Sequence, residues 1–182
     1  MKYFTNMKYK CLLILLITVS ITGCSSKDIN IRKKIECLKA SPIILPTDSM
    51  EIIKNEKFDF GISRYLMISY LDSANCTNCE ISHLYLWNHI IKKSEKVSFF
   101  FIFETKSSLK SQFENLTDNI CDNKNVVICI DTLGIFKKAN PMLPQESFLH
   151  TFLLDSTNHV VIVGNPLKNS KIKELYFDCI RE

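Results

Sequence analysis

Two thiols stand three residues apart in Ser73-Ala74-Asn75-Cys76-Thr77-Asn78-Cys79-Glu80, directly after the apolar run Tyr65–Leu71. A CxxC pair can do three kinds of chemistry: reversible disulfide exchange, metal binding, or a permanent cross-link. Haem attachment is excluded, because Glu80 occupies the position where that motif requires histidine. A closed zinc knuckle is disfavoured too, since no second CxxC follows. An open metal site stays possible on residue type: Cys76, Cys79 and His150, with His83 one turn beyond Cys79, would offer sulfur and imidazole to Cu(I) or Zn(II). The competing reading makes His83 a helix-surface residue and His150 a loop residue bonded to backbone.

Redox compartment decides among these chemistries. Lys2, Lys8 and Lys10 precede an apolar run from Cys11 to Ile21, which is too short for a membrane span of about 20 residues. That is the layout of an export signal. Its end, Ile21-Thr22-Gly23-Cys24, resembles the bacterial lipobox, which implies lipidation of Cys24 and a mature chain starting there. Removing 1–23 takes away three lysines and no acid, so the formal charge falls from +4 to +1. A near-neutral surface gives no electrostatic reason to expect nucleic acid as a partner. Residues 24–41 read as a lipid-anchored tether and N-terminal segment, and 42–182 as one domain long enough to fold without disulfides.

The elements around the thiols follow an alternating pattern. A helical or irregular piece contains Cys37, and Ile43-Ile44-Leu45 between Pro42 and Pro46 suits a short edge strand. Buried strands are expected at Tyr65–Leu71, at 97–103 (Val-Ser-Phe-Phe-Phe-Ile-Phe) and at 126–130. Helices are expected over 77–93, where Leu84, Trp87 and Ile91 recur at helical spacing, and over 106–116 and 133–139. The last of these ends before Asn140-Pro141. Thr151–Leu154 and Val160–Val163 flank Asp155-Ser156-Thr157-Asn158 as a hairpin, and a helix over 171–180 presents Ile172, Leu175, Tyr176 and Cys179 on one face. The sum is an α/β chain with a mixed central sheet flanked by helices.

Strand, CxxC helix, strand, helix, strand, hairpin, helix resembles the thioredoxin fold over residues 42–182. The lipobox, Cys76-Thr77-Asn78-Cys79 after a buried strand, Thr151-Phe152-Leu153-Leu154-Asp155 and the run from Val160 to Gly164 together resemble the membrane-anchored, TlpA-like thiol-disulfide oxidoreductases of bacteria. The resemblance implies a redox-active disulfide with Cys76 as nucleophile and Cys79 as resolving thiol. A sulfur just before a helix meets free backbone N–H groups that favour thiolate, while one a turn later is expected to be buried and protonated. No cofactor is called for. The implied partners are thiols or disulfides of exported proteins and an upstream redox partner, met from a lipid anchor on the periplasmic or cell-surface side. Two departures stand out. Asn75 and Asn78 replace the aromatic and the proline usual around the first and second cysteine, and Phe148-Leu149-His150 stands where the family carries a cis-proline. At Leu149 the preceding peptide bond is expected to be trans, because a non-proline cis bond costs about 2.5–4 kcal/mol.

Cys37, Cys121, Cys129 and Cys179 remain, with three possible pairings. Cys129 and Cys179 sit at apolar positions and suit small buried hydrophobes. No Gly-rich phosphate loop, Ser-His-Asp order or paired carboxylates appear. The sequence thus supports an oxidoreductase first, with a Cu(I)/Zn(II) carrier on the same cysteines or a non-catalytic thioredoxin-like binding module as alternatives. If Cys24 is the acyl acceptor, Cys24→Ala abolishes incorporation of labelled fatty acid and leaves unprocessed precursor. Equal lipid incorporation in the variant would rule out the anchor.

Overall fold

The computed structural model of the 182-residue chain describes residues 28–55, 63–72, 77–105 and 125–181. Cys24, Cys76, Cys121 and the helix expected over 106–116 lie outside the described residues. The chain divides into two compact units, with the boundary in sequence between Cys37 and Leu38. Residues 28–39 are helical (α1), which places Cys37 in a helix. The second unit holds a single six-stranded sheet.

Its strands are β1 (Glu51–Lys54), β2 (Tyr65–Leu71), β3 (Val97–Glu104), β4 (Val126–Asp131), β5 (Thr151–Leu154) and β6 (Val160–Val163), in the spatial order β1-β4-β3-β2-β5-β6. The pairs β2–β3 and β3–β4 are parallel, while β1–β4, β2–β5 and β5–β6 are antiparallel. Sheet direction therefore changes at β2. This strand is buried along nearly its whole length, as a strand covered on both faces must be, and its residues are accordingly apolar at almost every position. On one face Tyr65 and Met67 pack with Phe99, Phe101 and Phe103; on the other Leu66, Ile68 and Tyr70 pack with Phe100 and Ile102. Helix α5 (Ser170–Arg181) and the segment after β2 cover the first face, and α4 (Ile135–Ala139) packs on the second through Phe136. This element and strand order is a thioredoxin-like fold, α/β with a mixed central sheet flanked by helices.

Four details depart from the sequence expectations. The helix over 77–93 is three pieces: α2 (Thr77–Ser82), a 3-10 turn at Leu84–Trp87 and α3 (Asn88–Ile91). Its inward residues Ile81, Leu84, Trp87 and Ile90 recur every third position, the period of the 3-10 turn, and Ile91 is buried beside Ile90 as the helical spacing expected. Trp87 is held edge-on against Phe99 and Phe101, at 6.2 and 5.3 Å between ring centres. Second, Ile43-Ile44-Leu45 is not a strand. Asn140 takes over that backbone: its Oδ1 accepts from the Ile44 N–H at 2.8 Å and its Nδ2 donates to the Ile44 carbonyl at 2.9 Å. The edge strand is β1 instead, antiparallel to β4.

Third, α4 begins at Ile135 rather than 133, because Gly134 turns the chain at a φ of 63° and the Asp131 carboxylate accepts from the N–H groups of Ile135 and Phe136. Fourth, α5 buries Tyr176 and Ile180 with Ile172 partly covered, a spacing of four, and leaves Leu175 56 % exposed. The hairpin forms as expected. Asp155 closes it by accepting from Thr157 and His159; burial alone would raise this carboxyl, yet those hydrogen bonds outweigh it and hold it below the usual range.

Asn140 is fully buried and also donates to the Phe136 carbonyl. Asn140→Ala leaves the Ile44 amide and carbonyl without these partners inside the protein. It is expected to lower unfolding free energy by about 2–4 kcal/mol in a denaturant titration with an unchanged slope. A loss under about 0.5 kcal/mol, typical of a surface substitution, would show that this staple does not hold the segment.

Candidate functional site

The site lies at the carboxyl ends of the parallel strands, beside the strand at which sheet direction reverses, where open α/β sheets leave a crevice. Strand β2 stops at Leu71, Asp72 follows, and α2 starts at Thr77. Cys79 is in α2 and is disulfide-bonded. Its partner is none of Cys37, Cys129 and Cys179, which are free. Cys79 is also exposed, contrary to the buried resolving thiol expected. The cause is the facing of α2: Ile81 takes the inward position at 2 % exposure, and Cys79, two residues earlier on a helix, points away from that side.

Beside α2 opens a cleft of about 540 Å³. Glu80, His83 and Leu84 form one wall, Phe148 and Leu149 another, and Gly164 and Ile172 a third. The floor is the sheet itself, where Ser69 and Thr151 sit opposite each other in register with hydroxyls 3.3 Å apart. Gly164 has a φ of 126°, and a Cβ there would come within 3.1 Å of Ile172 Cγ1, so that corner needs glycine. At the mouth the exposed Lys168 reaches the partly covered Glu80 at 3.8 Å, a contact worth at most about 1 kcal/mol. Phe148 is 57 % exposed and Leu86 44 %, so the cleft lining sets exposed apolar side chains beside the Lys168–Glu80 pair.

Leu149 occupies the turn that lines the cleft with Glu80 and His83, which puts it near the CxxC helix as the resemblance implied. Among the described residues no peptide bond is cis, that before Leu149 included. His83 is exposed on the helix surface. His150 is buried, with its Nε2 2.7 Å from the Pro144 carbonyl and its Nδ1 turned toward Asp72. Neither nitrogen is offered to Cys79. Among the described residues no group of three His, Cys, Asp or Glu side chains is placed to hold a metal ion. His89 is exposed, and His159 contacts the Thr157 hydroxyl in the hairpin turn.

A line of polar groups at the strand ends was not singled out in the sequence. Asp72, Glu104 and Asp131 end β2, β3 and β4, and Tyr70 donates its hydroxyl to Glu104. Burial, followed by Glu104, Asp131 and Asp72, pushes the Tyr70 phenol far above its usual range. The legible signal is that an acid closes each of three otherwise apolar runs. Cys129 lies among them in β4, fully buried, its thiol raised by burial first and by Asp131 second. Cys179 is only partly covered on α5 and Cys37 is exposed.

No family model matches the sequence, and no curated protein does. Among solved structures the chain is similar to an uncharacterised thioredoxin-like protein from Porphyromonas gingivalis (16 % identity over 79 % of this chain and 90 % of that one, TM-score 0.48). It is similar also to a thioredoxin-like protein from Aeropyrum pernix (14 % identity, 86 % and 99 % covered, TM-score 0.44). A thiol-disulfide oxidoreductase from Bacteroides fragilis is a third (18 % identity, 69 % and 96 % covered, TM-score 0.43). At these identities the likeness is one of shape.

The thiols are expected to separate by environment. In native reduced protein iodoacetamide labels Cys37 readily and leaves Cys129 unmodified, and denaturant removes the difference. Mass spectrometry of the digested protein reads both. Equal labelling of the two in the native state would contradict the burial of β4.

Proposed function

We propose that this chain is a thiol-disulfide oxidoreductase whose working dithiol is Cys76 and Cys79. What carries the reading is that Cys79, exposed and disulfide-bonded, is set in α2 beside a cleft with apolar side chains in its lining. Exposed disulfides are the labile and catalytic kind, whereas structural ones are protected. Cys76, three residues away and just ahead of α2, is the natural partner once the three free cysteines are set aside.

In the reductive direction the Cys76 thiolate attacks one sulfur of a substrate disulfide. A Cys76–substrate bond forms, the substrate S–S bond breaks, and the departing thiolate takes a proton from water. The Cys79 thiolate then attacks Cys76, releasing the second substrate thiolate and leaving the Cys76–Cys79 disulfide. An upstream dithiol must reduce that disulfide for the next cycle; run backward, the same steps oxidise or rearrange substrate thiols. Exported proteins are the proposed substrates, and a lipid on Cys24 the proposed hold on the bacterial cell envelope, facing the periplasm or cell surface. Among the described residues no helix is long and apolar enough to cross a membrane. The metal-carrier alternative is not favoured, because both His150 nitrogens are directed elsewhere.

The test is to trap the intermediate. Cys79→Ser, expressed with its export signal, accumulates mixed disulfides between Cys76 and other exported proteins, visible as thiol-sensitive bands on non-reducing gels. Cys76→Ser gives none. Bands equal in both variants, or absent from both, would overturn the assignment.

A further inference from the structure

His150 is 1 % exposed and Asp72 8 %, and the protonation of the pair is set by the groups each atom faces. The Pro144 carbonyl, 2.7 Å from Nε2, can only accept, so Nε2 carries hydrogen and donates. Nδ1 is then either bare or protonated. It is buried, has no hydrogen-bond partner among the described residues, and faces Asp72 Oδ2 at 3.6 Å. A bare nitrogen opposite an ionised carboxylate would set two acceptors against each other away from water, an arrangement proteins avoid. Other groups near the ring add to the conflict. Tyr70 packs on it at 5.3 Å between ring centres, and that tyrosine bonds Glu104 and feels Asp131. None of these groups donates a hydrogen to Nδ1.

We propose that His150 is held as an imidazolium against the Asp72 carboxylate, a buried ion pair at 3.6 Å, and that this pair latches the turn 144–149 onto the end of β2. An Nδ1 that carries hydrogen replaces the repulsion between two acceptors with attraction. The turn it latches carries Ser147, Phe148 and Leu149, the cleft wall that faces α2. The ring is tied also to Pro144, and the backbone of the same residue is fixed to β2, its carbonyl accepting from the Tyr70 N–H at 3.0 Å. His150 and Asp72 are thus positioning residues for whatever enters the cleft. Only this last consequence rests on the oxidoreductase reading.

The proton is tested directly by long-range 15N–1H NMR of ring-labelled full chain, with His150 assigned from His150→Gln. Wild type is expected to show Nε2 and Nδ1 both protonated. Asp72→Leu shifts Nδ1 to the value of a bare nitrogen. Asp72→Asn keeps it hydrogen-bonded, because the amide N–H can donate to it. A bare Nδ1 in wild type would overturn the proposal even if the leucine variant fails to fold. For function, the KM for a disulfide-bonded peptide rises about tenfold in Asp72→Leu, as the cleft wall that orders the peptide loosens. The redox potential of the dithiol stays unchanged, and Asp72→Asn restores KM to within about twofold. An asparagine variant as poor as the leucine one would also sink the latch. Absence of exchange in wild type would fall on the oxidoreductase reading and leave the NMR result standing.

Discussion

Strand β2 must be buried on both faces while it pairs in both senses, parallel to β3 and antiparallel to β5. Each requirement shapes the site at its end. Burial on two faces forces apolar residues at nearly every position, so polar chemistry is pushed to the strand's end. There Ser69 finds Thr151 across the ladder, and Asp72 leaves the sheet. The change of direction separates the parallel strand ends from the turn before β5. A crevice opens at that boundary, and the helix bearing Cys79 borders it. The cleft, the exposed disulfide and the His150–Asp72 pair are all consequences of where β2 stops.

Packing on the first face then fixes how α2 presents its sulfur. Ile81, Leu84, Trp87 and Ile90 dock every third residue against Phe99 and Phe101. That tight winding keeps Glu80 and His83 along the cleft and turns Cys79 outward. On the second face α4 is started by Asp131 and joined to the 42–46 segment by Asn140. The two faces do different work. One aims the thiol-bearing helix, and the other fixes the ends of β3 and β4 beneath the polar line.

Strands β2, β3 and β4 were legible because runs such as Val97–Glu104 have no reading other than a fully buried strand once turn signals bound them. The hairpin was legible from Asp155 and Asn158 between two apolar runs. The broken helix was not, since Leu84, Trp87 and Ile91, all buried as expected, fit an α-helix equally well, and the added burial of Ile90 comes from packing in the core. Ile43-Ile44-Leu45 looked more like a strand than Glu51–Lys54 did. Its fate depends on Asn140, 96 residues away, and no local pattern carries that. The place of Cys79 at the strand-to-helix junction was legible, but its exposure was not. The meeting of His150 with Asp72 needs the β2–β5 register, which sequence alone does not supply.

The most direct measurement of the proposed dithiol is a redox titration of the exported-length protein against defined ratios of reduced to oxidised glutathione, with the disulfide at each point mapped by mass spectrometry. One two-electron transition is expected, joining and releasing Cys76 and Cys79 in the folded state at a potential above about −300 mV, where working disulfides lie. A Cys79 paired to another cysteine, or a disulfide that resists reduction until the protein unfolds, would contradict it.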